Sequence, residues 1–111
     1  MPRKRRALIH RGDVWDAAIP GIGVHPVVVV TRDTAIPALS ALVCVLVTST
    51  FHGHVAEVAV GEEQGLDHDC AANSDNILTL PVQVLTRWRG HLGTAKLSEL
   101  DAALTIALGL D

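Results

Sequence analysis

A mainly β protein with short helices, built as a barrel-like sheet carrying one C-terminal amphipathic helix, is the fold this sequence predicts. Two observations carry that expectation. Short runs rich in Val, Ile and Leu recur between clusters of Gly, Pro, Asp and Asn, and only the last stretch, from Leu97 to Leu108, shows apolar residues at helical spacing.

The elements follow in chain order. Arg11 to Ala18 reads as a first strand, ended by Ile19-Pro20-Gly21-Ile22-Gly23, whose Pro and paired Gly mark a loop. That loop lacks the Gly-Lys-Ser/Thr ending of a phosphate-binding loop and feeds instead into Pro26 to Thr31, four valines of strand chemistry. After Arg32-Asp33-Thr34 and Pro37, the run Ala41 to Thr48 has apolar residues at nearly every position, as a strand buried on both faces does, and is placed at the sheet centre. His54 to Val60 alternates and is expected to pair with that third strand. Gly61 to Cys70 is acidic and turn-rich, hence a loop. Asn73 to Leu80 and Thr86 to Leu92 are further strands, separated by a helical turn at 81–85 that opens on Pro81. Ser98, with Asp101 three residues on, is the expected N-cap of the final helix, whose apolar face is Leu97, Leu100, Leu104 and Leu108 and whose stop is Gly109.

With 111 residues, 49% of them apolar, the chain supports one compact core and is too short for two. Residues 1–10 form a basic arm and residues 11–111 a single domain. No apolar run approaches the roughly 18 residues of a membrane span. The basic start Arg3-Lys4-Arg5-Arg6 is followed only by Ala7-Leu8-Ile9 before His10, too little for a signal peptide, so a cytoplasmic location is expected. The net charge is −3 although four basic residues sit in the arm, so the body is acidic and any contact with a polyanion must rest on a local cluster. The arm is either a solubilising tail or a phosphate-contacting segment.

Cys44 and Cys70 are expected as free thiols. His52-Gly53-His54 and His68-Asp69-Cys70 each offer metal-binding side chains, but neither supplies the three or four ligands zinc requires, so no metal and no cofactor is assigned.

Five segments stand in a particular order: Arg11-Gly12-Asp13-Val14-Trp15; Pro26 to Val30 with Thr31-Arg32-Asp33; Val47-Thr48-Ser49-Thr50; Asn73-Ser74-Asp75-Asn76-Ile77 through Pro81; and Leu97 to Leu110. Together they resemble the MazF/PemK family of bacterial toxin endoribonucleases over residues 11–110. The resemblance implies an SH3-like barrel of the CcdB/MazF type, a homodimer, metal-independent cleavage of single-stranded RNA at short sequences, and neutralisation by a MazE-like antitoxin. It also implies attack of the ribose 2′-OH on the adjacent phosphorus, leaving a 2′,3′-cyclic phosphate and a 5′-OH. Such chemistry needs a base, an acid and donors for phosphoryl charge, and no protein nucleophile.

The family's threonine at the end of the third strand matches Thr48, with the Ser49 backbone beside it where the strand opens into a loop. The bland alternative for Thr48 is a β-favouring residue at a strand end. The arginine the family usually carries before the second-strand proline is replaced by His25. Imidazole is a competent proton carrier, titrating near pH 6.5 in the free side chain, so His25 is either the general acid or base of the site or a spectator. Arg32 stands six residues beyond Pro26, roughly 20 Å along an extended strand, too far to substitute.

Arg87 and Arg89 flank Trp88 on one predicted face and either contact RNA phosphates or decorate a solvated edge. Asp75 falls where some family members have a catalytic or base-reading acid, but Asn73 stands where those members have an arginine. Asn73, Asp75 and Asn76 either read nucleobase edges or serve as turn residues. Phe51 is the best base-stacking candidate, His52 and His54 add donors beside it, and Trp15 is expected in the core. Two rival readings keep a fold of this type and drop the chemistry. One is a non-catalytic or degenerate toxin-fold binding protein, either a CcdB-like gyrase binder or an antitoxin sponge. The other is an SH3-like peptide adaptor, disfavoured by the shortage of aromatics.

Overall fold

The computed structural model describes residues 8–111; the basic stretch 2–6 lies outside the described residues. Six strands form one antiparallel sheet: β1 (Asp13–Ile19), β2 (Gly23–Val29), β3 (Ala41–Thr48), β4 (Glu57–Val60), β5 (Cys70–Pro81) and β6 (Leu85–His91). Among the described residues one α-helix, α1 (Gly93–Ala107), follows them. Short 3-10 turns occupy Ile36–Ala38, Glu62–Gln64 and Val82–Val84. The strand order is β4-β5-β3-β2-β1-β6, so β4 and β6 are the edges of a curled, open half-barrel.

Strand alternation divides the apolar residues between two cores. Trp15, Val27, Val29, Leu42 and Cys44 face one way and meet Ile36, Val82 and Leu85. Val14, Val28, Val45, Val47 and Val58 face the other way and meet Leu100 and Ala103 of α1. Each fully buried Val or Leu here contributes about 1.5–3 kcal/mol. Trp15 is buried, as expected.

The fourth strand departs from expectation. It begins at Glu57 and pairs with β5, not with β3, because β5 is inserted between them. The physical reason is Cys70-Ala71-Ala72: three small, buried residues that let a strand run between two neighbours without crowding either. The helix also differs. It starts at Gly93, leaving Ser98 inside it, because His91 supplies the cap: its Nδ1 accepts the Gly93 N–H at 2.9 Å. Its Nε2 donates to the Arg11 carbonyl at 2.9 Å, so one imidazole ties β6, α1 and the start of β1 together. At the other end Gly109, with φ +67°, donates to Ile106 O while Leu110 donates to Thr105 O, a Schellman stop at the expected glycine. Leu108 lies past the helix and is exposed.

The Arg11-Gly12-Asp13-Val14-Trp15 segment is a structural knot. Arg11 donates to Val30 O at 2.9 Å and to Asp101 at 2.7 Å, and its backbone N–H meets Asp33 at 2.8 Å. Gly12 takes φ +90° beneath the His91 ring, and the Asp13 carboxylate accepts the His10 N–H at 2.8 Å.

Candidate active site

β2 and β3 pair as Val27 with Leu46, Val28 with Val45 and Val29 with Cys44. Continuing that register by two residues on each strand sets His25 opposite Thr48, on the face shared by Val27 and Leu46. At this end of the strands lies a cleft of about 280 Å³, lined by His25, Thr48, Ser49, His68 and Cys70 over a floor of Pro26, Leu46 and Val47. The Thr48 hydroxyl has two distant carbonyl acceptors, Thr50 O and Ala71 O, each at 3.4 Å. Neither contact is short, so the hydroxyl is free to turn toward a phosphoryl oxygen.

The fourth wall of the cleft comes from the loop before β5, which the motif reading did not assign to the site. His68 Nδ1 donates to Asp69 O at 2.9 Å and stands 3.4 Å from Cys70 Sγ; the thiol donates to His68 O at 3.3 Å. Burial, then the Asp69 carboxylate, push the Cys70 thiol upward from its ordinary value, with Arg89 opposing, so the sulfur keeps its proton.

That loop is anchored by Arg89. Its Nε donates to Gly65 O at 3.1 Å, Nη2 to Asp67 at 2.9 Å and Nη1 to Asp16 at 3.2 Å. The Arg89 and Asp16 side chains are only 10% and 13% exposed, whereas Asp67 is 86% exposed. Desolvation lowers the guanidinium pKa, but the Asp16 and then Asp67 carboxylates outweigh it and the net shift is upward. Gly65, at φ +89°, passes so close to the Arg89 carbonyl that a Cβ would overlap it.

The remaining candidates lie elsewhere. Phe51 is half-exposed and lines a larger neighbouring cleft of about 630 Å³ that shares Cys70 with the first and carries Glu62, Glu63 and Asp69 against the single cation Lys96. His52 and His54 are exposed, and both of their backbone N–H groups donate to Glu57 Oε1 at 3.0 Å. Desolvation opposes the shift, but these bonds and the two imidazoles draw the Glu57 pKa below its ordinary value. Asp75 and Asn76 lie with Ser74 in a bulge of β5 flanked by Asn73, where pairing jumps from Val45–Ile77 to Leu46–Asn73; the Asn73 side chain accepts the Asp75 N–H at 3.0 Å. Arg87 is exposed on β6, beside Trp88, which lines an apolar groove with Leu8 and Trp15. None of these residues lines the His25–Thr48 cleft. Among the described residues no group of three His, Cys, Asp or Glu side chains is arranged to hold a metal, and no helix is long and apolar enough to cross a membrane.

The sequence aligns over 102 residues with the probable endoribonuclease MazF2 of Mycobacterium tuberculosis at 38% identity, covering 91% of this chain and 99% of that protein. A second relative from the same organism, the probable endoribonuclease MazF5, is 35% identical over 105 residues, covering 92% and 94%. Among solved structures, the M. tuberculosis toxin MazF-mt6 superposes with TM-score 0.83 at 29% identity, covering 89% of this chain and 98% of that one. A mycobacterial endoribonuclease in complex with its cognate antitoxin gives TM-score 0.83 at 29% identity, covering 93% and 97%. Residues 10–108 match the family described as the PemK-like, MazF-like toxin of type II toxin-antitoxin systems, and to that family this chain belongs.

Proposed function

We propose that this chain is the toxin of a type II toxin–antitoxin pair and a sequence-specific endoribonuclease that cleaves single-stranded RNA without a metal ion. Residues 11–111 act as one catalytic domain, as a homodimer in the bacterial cytoplasm, and a MazE-like antitoxin neutralises it. The observation that carries this reading is the shared cleft of His25 and Thr48 in a chain of this family.

The reaction needs proton transfer and charge stabilisation, and the cleft offers both. Thr48 donates its hydroxyl hydrogen, and the Ser49 amide its N–H, to the non-bridging phosphoryl oxygens as negative charge builds there. His25 handles a proton of the displacement, the task for which an imidazole is suited near neutral pH. It thereby replaces the fixed charge of the family's usual arginine with a titratable one.

Substrate is held outside the cleft. Phe51 stacks on one base and His52 adds a donor beside it. Asn73, Asp75 and Asn76, at the β5 bulge, read base edges, and Arg87 meets a phosphate. Arg89 takes part by holding the His68 loop, since reaching RNA would mean giving up three acceptors at once.

The test is to incubate purified protein with mixed single-stranded RNA in EDTA and map the ends. Discrete cuts bearing 2′,3′-cyclic phosphate and 5′-OH termini are expected. No cutting with an intact fold supports the rival, a non-catalytic toxin-fold binding protein.

A further inference from the structure

We propose that His68 is the second proton-transfer residue of this cleft: it takes the proton of the attacking 2′-OH, while His25 protonates the departing 5′-oxygen. The assignment rests on the nuclease reading above and adds to it a residue that the motif comparison does not point to.

Three observations carry it. First, the base of β2 and the loop before β5 bring two imidazoles into one cleft with the Thr48 hydroxyl. A displacement that removes one proton and delivers another is served by such a pair.

Second, the tautomer of His68 is set by its neighbour. A carbonyl only accepts, so the 2.9 Å contact of Nδ1 with Asp69 O places the hydrogen on Nδ1 and leaves the lone pair on Nε2. The Cys70 thiol, which donates to His68 O, does not compete for that lone pair. In its neutral form His68 therefore offers Nε2 as the acceptor, and its side chain is exposed at the cleft.

Third, the loop is fixed. Arg89 clamps it at Gly65 O and Asp67, and Gln64 Oε1 accepts the Gly61 N–H at 2.7 Å. The charged and titratable groups around His68 are Asp67, Asp69, Cys70 and Arg89, with His25 across the cleft. Arg89 is balanced by Asp16 and Asp67.

In the step itself, the bond from the 2′-oxygen to phosphorus forms and the bond from phosphorus to the 5′-oxygen breaks. The 2′-OH proton moves to His68 Nε2, and a proton from the His25 imidazolium moves to the 5′-oxygen. Exchange with water resets both rings.

A base must be deprotonated and an acid protonated, so cleavage by the parent rises and then falls with pH. His68→Gln should lower kcat by about 10²-fold or more, leave KM within about threefold and flatten the low-pH limb alone. His25→Gln should flatten the high-pH limb. An RNA whose scissile 5′-oxygen is replaced by sulfur releases a thiolate that needs no proton, so it should rescue His25→Gln and not His68→Gln. The assignment is overturned by a His68→Gln enzyme cutting within about threefold of the parent, by one retaining the low-pH limb, or by rescue with the sulfur substrate. A parent profile lacking a low-pH limb overturns it without any substitution. A parent that leaves RNA intact in EDTA overturns the nuclease reading itself, a result distinct from all of these.

Discussion

His25 on β2 and Thr48 on β3 stand opposite each other in the continued register of two paired strands, and both side chains line the same cleft. The valine ladder beneath them anchors this relationship: Val27, Val28 and Val29 are fully buried, Val27 and Val29 in one core and Val28 in the other. The candidate site sits where the ladder ends, so it is backed by the core.

The hydroxyl of Thr48 is expected to act on the transition state more than on binding. Thr48→Val keeps the β-branched shape and removes the donor. Single-turnover cleavage should slow by about 10² to 10³-fold with KM little changed, and Thr48→Ser should recover most of the rate.

Arg89 and Gly65 form a second coupled pair. Removing the guanidinium by Arg89→Ala leaves Asp16 largely buried and unpaired, at a cost of about 3 kcal/mol, and frees the His68 loop. Gly65→Ala forces a Cβ into the Arg89 carbonyl at a positive φ and should destabilise by at least about 2 kcal/mol. Urea unfolding of both variants checks these values. Cleavage should fall in each even at temperatures where the fold is intact.

Burial in the core pushes the Cys44 thiol from 9.0 to about 12. The unfolded chain therefore releases this proton at lower pH than the folded chain does, so the folded state binds more protons between pH 9 and 12 and loses stability as pH rises through that window, at up to about 1.4 kcal/mol per unit. Denaturation midpoints across this range should decline less steeply in Cys44→Val, which keeps the apolar volume and cannot titrate.

Much of this was legible in the residues. Apolar runs and alternation between turn clusters locate all six strands to within a few residues, and Gly109 marks the helix stop. Two features escaped because their causes are tertiary. Alternation in Val55 to Val60 shows a half-exposed strand but not its partner, which depends on Cys70-Ala71-Ala72 fitting between two neighbours. The helix start escaped because its cap is His91, a residue of the preceding strand and not one of the usual capping types. Motif order points to His25 and Thr48, which the structure brings into one cleft, whereas His68 sits in an acidic loop whose approach to that cleft is visible only once β5 lies beside β3. For Arg89 the sequence shows a charge on a strand and hides its partners, Asp16 and Asp67, which stand far from it along the chain.

The most direct measurement is the single-turnover cleavage rate of His25→Gln against the parent, in EDTA, at saturating single-stranded RNA, with melting temperatures matched. The predicted result is a fall of about 10²-fold or more with RNA affinity retained. A variant that cuts within about twofold of the parent would contradict the account, because the cleft would then be cutting RNA without its imidazole at position 25.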